Sequence, residues 1–482
     1  MHDVSYDNGI EELGMKTEKD KLDSGIVKMA FIMVIGMFAP GLDSTIVNVA
    51  IQTISMDLHS ELSTVQWVMT AYILMMGIAV PVSGWLADRF SGKKIYLYAL
   101  VLFFAGSVLA SLSWNIETLI TARILQGIGA GIMMPVMQTF LVRVAGAEKL
   151  GRVMSVVSIP AAIIPIFGPV AGGIIVHNLP WQWIFYVNIP ICLAALILSV
   201  KYLPADTAKT PHKSLDVAGL LLLTPAFVLI LIAISQLRSA SINSTIPVTL
   251  PVGAVLLAGF IVYGFKSKTC VLDIRLFKLR NFSASAVLIF VLGTISTGSL
   301  FILPLYFQQL FKASALTAGL LLAPQGLGIL LSRNLAGKLT DKKGARPVLL
   351  LGLTITVIGT IPLALFDFHG NLIPVIVILL IRGAGLGFLN ITPMVSIYYG
   401  LSKEEVSHGT TMARMLQQIG GAFGACILAV ILHFCLGAAG NSANVFHAYS
   451  TVFWWSTGIA ILSFVPALLL SAKAESEKAK SY

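Results

Sequence analysis

Residues 84–94 read GWLADRFSGKK, and residues 337–346 read GKLTDKKGAR. Each stretch opens on a glycine, sets an aspartate four places later and ends on basic residues, with Gly84, Asp88 and Arg89 in one and Gly337 and Asp341 in the other. The two glycines are 253 residues apart. A second pair, GIGAGIMMP at 127–135 and GLGFLNITP at 385–393, shares the spacing G-x-G-x-x-x-x-x-P at an offset of 258. Two pairs at nearly one offset imply a duplicated chain whose halves share an architecture.

Around these stretches the sequence is 57% hydrophobic and only 11% charged over 482 residues, against roughly 25% charged in soluble domains. Fourteen segments have the ~20 apolar residues that a membrane-crossing helix needs. They lie near 26–50, 63–87, 95–112, 117–142, 152–176, 182–203, 214–236, 246–265, 283–307, 314–337, 347–366, 371–396, 408–434 and 448–471. The expectation is an all-α membrane protein. Two six-helix halves, 26–203 and 283–471, use twelve spans, and 214–265 holds two inserted ones whose apolar composition fits lipid-facing spans. Residues 266–282, KSKTCVLDIRLFKLRNF, alternate basic and apolar side chains and read as a surface-lying amphipathic link. Tails at 1–25 and 472–482 complete the chain, and the first of these is too acidic to resemble a signal peptide.

Placing both termini in the cytoplasm assigns 26 of the 32 Lys and Arg residues to cytoplasmic segments, leaving Arg238 and Lys312 in outer loops and Arg123, Arg333, Arg382 and Arg414 inside spans. This is the asymmetry expected of a multi-pass protein, so the net charge of +10 needs no nucleic-acid partner. The four cysteines show no paired metal-ligand spacing.

One carboxylate sits deep in a span: Asp43, within GLDSTIVNVA at 41–50. An ionisable side chain at that depth is costly and faces a cavity or a partner. Asp43 lies nine residues inward from Gln52, Arg123 six inward from Glu117, and Tyr72 nine inward from Ser63. At 1.5 Å per residue all three fall roughly 9–14 Å below the outer helix ends, where they can meet. A guanidinium beside the carboxyl favours its charged form and apolar burial its neutral form, so a conformational change could load and release a proton there. The same pair could instead serve only to fix helix packing. Ile295 stands at the equivalent place in the second half, so proton coupling is expected to rest on Asp43 alone. Met37, Met134 and Met137 suit a soft, promiscuous pocket, and Gln138, Gln325 and Asn390 are candidate polar contacts within it.

With these residues in place, the chain resembles the major facilitator superfamily and, within it, the fourteen-helix drug:proton antiporters of the EmrB/QacA type. The loop at 84–94 is similar to the family's G-x-L-a-D-R-x-G-x-K-K signature. Leu42, Asp43, Thr45, Ile46, Val47, Asn48, Val49 and Ala50 match its first helix, and Arg123, Gly127 and Gly129 its R-x-x-x-G-x-G. Gly168, Pro169, Gly172 and Gly173 match the antiporter signature of the fifth helix, with Ile164 in place of its leading glycine. The resemblance implies a major facilitator fold and export of lipophilic, often cationic, drugs, dyes or antiseptics in exchange for protons. Asp43 and Arg123 are the expected coupling residues, and their common depth with Tyr72 puts Asp43 and Tyr72 among the expected substrate contacts. Gly84, Asp88, Arg89, Gly337 and Asp341 would form a cytoplasmic gate, with Gly84 allowing close helix contact. WQWIFYVNIP at 181–190 also matches, and Trp181 and Trp183 read as an aromatic belt at the outer interface.

Other classes lack their motifs. No G-x-x-x-x-G-K-[ST] exists for an ATP-driven pump, and no H-E-x-x-H for a metalloenzyme. A proton-coupled importer, an exporter of one endogenous metabolite and a non-transporting sensor remain as rivals. The expectation is a monomer in the cell membrane, with both termini cytoplasmic. Its partners are lipophilic small molecules, lipid and protons, with no nucleic acid, metal or other cofactor.

Overall fold

The computed structural model describes residues 24–145, 164, 167–204, 216–237, 245–267, 272–368, 371–401, 405–437 and 443–470, and the described chain is helical throughout. The helices are α1 (Ser24–Asp57), α2 (Leu62–Arg89), α3 (Gly92–Ser111), α4 (Ile116–Ala145), α5 (167–178) and α6 (Asn188–Tyr202). The inserted pair is α7 (Val217–Gln236) and α8 (Ile246–Lys266), and the second half holds α9 (Arg280–Gln309), α10 (Ala315–Lys343), α11 (Ala345–Leu365), α12 (Leu372–Ser396), α13 (Glu405–Gly437) and α14 (Ala443–Leu462). Thirteen stretches of the described helices are long and apolar enough to cross a membrane. Most of the expected fifth span, and both tails, lie outside the described residues.

The two halves pack alike. In each, the fourth helix lies against the second and third, as α4 does on α2 and α3, and α12 on α10 and α11. Glycines set the closeness. Gly127 leaves no room for a Cβ against the Tyr72 carbonyl, and Gly383 none against that of Gln325; Gly129 abuts Ala99 and Phe103, and Gly385 abuts Gly352 and Thr356. These contacts superpose α2 and α3 on α10 and α11 at the expected offset of 253, but α4 on α12 at 256, not the 258 read from the shared G-x-G and proline spacing. Helix packing follows the glycine that meets a backbone, and a proline at matching spacing need not share that place.

Three further readings are corrected. The link at 266–282 is not a surface helix among its described residues: a 3-10 turn at Ile274–Lys278 buries Leu272, Ile274 and Leu276, and α9 starts at Arg280. Trp181 is 2% exposed and donates from Nε1 to Asp57 Oδ2 at 2.6 Å, tying the start of the sixth span to the end of α1, while Trp183 stays exposed as a belt residue would. The inserted α7 is not merely lipid-facing, since Phe227 stacks edge-on against Phe423 of α13 and the Leu231 carbonyl accepts from Cys426 Sγ at 3.7 Å. Asp216 caps α7 and receives Tyr263 Oη from α8 at 2.7 Å, holding the pair together.

The halves meet along two seams, α2 on α13 and α5 on α10. Towards the less basic end, Gly173 faces Ala315 and Leu316, Gly319 faces the Pro169 carbonyl, and Gln308 Nε2 donates to the Val49 carbonyl at 3.2 Å. At the basic end, a Cβ at Gly84 or Gly337 would meet nothing within 4 Å. The close helix contact expected of Gly84 is therefore not made in this conformation.

Replacing Gly127 by leucine should cost about 1–3 kcal/mol or more by overpacking against the Tyr72 backbone, while Gly84→Leu should stay within about 0.5 kcal/mol of the wild type. Thermal unfolding of the detergent-solubilised proteins measures both; equal losses would contradict the packing described.

Candidate functional site

Asp43 and Arg123 are both 0% exposed and form an ion pair, Arg123 Nη1 donating to Asp43 Oδ2. Among the described residues it is the only ion pair within hydrogen-bonding reach. Asn188 Nδ2 on α6 donates to the other carboxylate oxygen at 2.8 Å. Arg123 Nε donates to the Val68 carbonyl at 2.9 Å, and Nη1 also reaches Gln126 Oε1 at 2.8 Å. Gln126 Nε2 continues to Ser107 Oγ on α3 at 2.8 Å. One buried network thus joins α1, α2, α3, α4 and α6. Arg123 Nη2 has no acceptor among the described residues, so the cation is held but not saturated.

Local sequence explains why α1 carries this group. Pro40 breaks the helical hydrogen-bond ladder, and Tyr72 Oη donates to the Pro40 carbonyl at 3.0 Å. The Arg123 guanidinium sits 4.0 Å from the Tyr72 ring centroid, a cation–π contact. Tyr72 is 0% exposed and belongs to this network. It does not line the central cavity, which corrects the expectation of a substrate contact. Asp43 is likewise behind the cavity wall and not on it.

The cavity lies between the halves in three adjoining lobes of about 420, 300 and 180 Å³ that share wall residues. Ser44 and Thr45, the neighbours of Asp43, line it from α1, so adjacent residues of one helix face the ion pair and the cavity. Met37, Met134 and Met137 line the largest lobe, and Gln325 and Asn390 the second. Gln138 is not on these walls; it accepts from Arg414 Nη2 at 3.4 Å, across the halves. Gln417 reaches all three lobes and Gln418 two, and neither stood out in the sequence because polar residues on α13 have no motif around them.

A third helix face completes α1. Gly168 of α5 stands against Thr45 and Gly172 against the Ile46 carbonyl, each without room for a Cβ, while Gly173 turns to α10. The antiporter-like segment is thus wedged between α1 and the opposite half. Of the loop residues, Gly84, Arg89 and Gly337 lie at the basic end, and the side chains of Asp88 and Asp341 lie outside the described residues.

The second half carries a buried cation that sequence reading left unassigned. Arg382 is 1% exposed and donates from Nε to Thr360 Oγ1 at 3.0 Å, from Nη1 to Gln325 Oε1 at 2.7 Å, and from Nη2 to Ser299 Oγ. Its Cα packs on Gly359 as Gln126 packs on Gly106, so its counterpart is Gln126, one turn from Arg123. All its partners are neutral. Only the corrected helix offset exposes this relation.

A family model described as Major Facilitator Superfamily matches residues 33–425. The multidrug resistance protein B homolog of Mycobacterium tuberculosis is 30% identical over 509 residues, covering 96% of this chain and 94% of that protein. The riboflavin transporter RibZ of Clostridioides difficile is 29% identical over 448 residues, covering 92% and 97%. Among solved structures, a bacterial homolog of the human lysosomal transporter Spinster, in an inward-facing and unoccupied conformation, superposes with a TM-score of 0.63 at 14% identity, covering 93% of this chain and 96% of that one.

Breaking the ion pair from one side should be more harmful than removing it. Arg123→Gln, which strands the buried carboxylate, should destabilise by about 3–5 kcal/mol. The double variant Asp43→Asn with Arg123→Gln should recover much of that loss. Unfolding midpoints in detergent test this, and additive losses would argue against direct coupling.

Proposed function

Because the chain belongs to the major facilitator superfamily, we propose that it exports amphiphilic small molecules in exchange for protons, alternating access around the central cavity, with Asp43 as the proton carrier and Arg123 as its counter-charge. The observation that carries this reading is the position of Asp43: among the described residues it is the one carboxylate buried within a span away from a helix cap, on a helix whose other faces meet the cavity and α5.

The chemistry follows from charge. While Asp43 is ionised, its bond to Arg123 holds α1 against α4. A proton taken up by Asp43 removes the attraction and leaves Arg123 with Gln126 and the Val68 carbonyl. The freed α1 can then slide on the glycine face of α5, which touches the second half through Gly173. Cargo in the cavity presses on Ser44 and Thr45 of the same helix. One element therefore senses both cargo and proton. Met37, Met134 and Met137 give the cargo's apolar body a deformable wall, with Gln325 and Asn390 as polar contacts. The loops at 84–94 and 337–346 act as the cytoplasmic gate, formed when the halves close at that end, and the chain works in the cell membrane with its basic loops inward.

A relative named as a riboflavin transporter supports a second reading, transport of one metabolite through the same cavity. A panel of cargoes separates the two.

In inside-out vesicles with an acidic lumen, adding an amphiphilic dye should alkalinise the lumen in the wild type. Asp43→Asn, inserted at normal levels, should abolish the response. A mutant that still exchanges protons would remove Asp43 from the coupling step, and a wild type silent to dyes of either charge would remove multidrug export.

A further inference from the structure

The charge of the cavity wall differs from that of the ion pair behind it. Among the described residues the three lobes present two arginines, Arg333 and Arg414, and no carboxylate. Neither arginine has an ion-pair partner among the described residues. Arg414 donates only to neutral atoms, Met134 Sδ at 3.3 Å and Gln138 Oε1 at 3.4 Å, and its Nε is buried without an acceptor. The one deep carboxylate, Asp43, is fully engaged by Arg123 and Asn188 and offers no charge to the cavity.

The second half reinforces the sign. Arg382 takes Gln325 Oε1 as an acceptor, so the rest of that amide, its Nε2 group, is a donor. Gln325 lines the same lobe as Arg333. Arg333 lies ten residues from the basic end of α10 and Arg414 nine from that of α13, so both sit roughly 14–15 Å in from that end by helical rise. A carboxylate in an apolar cavity attracts cations, but here the unpaired charges on the wall are positive and the free polar hydrogens point the same way. A cationic cargo would meet positive charge that no described carboxylate on these walls offsets.

We infer that the cargo is an organic anion: a molecule with an apolar body and a carboxylate, sulfonate, phosphate or phenolate head, drawn by the positive charge that Arg414 and Arg333 give the walls of their lobes. The inference rests on the reading of this cavity as the transport site, and it replaces the cationic cargo implied by family resemblance. The apolar body lies against the methionines of the largest lobe, and the head turns towards the basic end. Asp43 remains a proton site and not a cation site, which lets proton exchange and anion binding use different residues.

The test uses the purified full chain in dodecylmaltoside and a matched pair of probes, 2-naphthalenesulfonate and 2-naphthyltrimethylammonium, followed by titration calorimetry. The sulfonate should bind at least about tenfold more tightly, the size of one charged hydrogen bond. Arg414→Gln and Arg333→Gln should each reduce that preference about tenfold or abolish it, with Arg414→Lys keeping it. Size-exclusion profiles verify that the variants are folded, and the ammonium probe, whose binding should not weaken in them, reports an intact cavity. Equal or tighter binding of the ammonium by the wild type, or a preference unchanged in both glutamine variants, overturns the inference. Sulfonate preference without proton-linked movement of the sulfonate into vesicles would defeat the export reading and support the charge of the site. Proton exchange driven by the cation alone would do the reverse.

Discussion

The ion pair between Asp43 and Arg123 is the constraint on which the first half is built. Each partner is fully buried, and a single charge at that depth costs several kcal/mol unless it is compensated. Each residue lowers the cost of burying the other, so the helices that carry them are held to one relative position. The bonds running on to Val68, Gln126, Ser107 and Asn188 extend that requirement to three more helices. A structure that depends on one charged contact also has one place where adding a proton changes the balance of forces.

Helix α1 turns this local event into something the rest of the molecule can feel. Asp43 points into the network, Ser44 and Thr45 reach the cavity, and Thr45 and Ile46 receive the glycines of α5. These are consecutive residues at about 100° to one another around the axis. Rigid coupling through a helix needs no longer pathway than this, because a rotation that breaks one contact must move the others.

The halves share a backbone plan and differ in charge. The first half neutralises its buried arginine with a carboxylate; the second surrounds Arg382 with hydroxyls and an amide. Duplication preserved the glycines at the helix contacts, where any side chain would collide with a backbone, and left the polar interior free to diverge. The charge-compensated arginine thereby lies in one half and the uncompensated one in the other, with the cavity between them.

Much of this was legible in the order of residues. Hydropathy placed the spans, the duplicated loops announced two halves, and the one aspartate deep in a span identified itself by its cost in lipid. Counting along the helices brought Asp43, Arg123 and Tyr72 to one depth, and the structure brings them into contact. Depth is fixed by sequence because every helical residue adds the same rise. Direction around the helix is not, since it depends on which neighbours press on each face. Tertiary packing alone therefore decided that Asp43 and Tyr72 stand behind the cavity wall while Ser44 and Thr45 form it, that Arg382 answers to Gln126, and that Arg333 and Arg414 lend the cavity their charge.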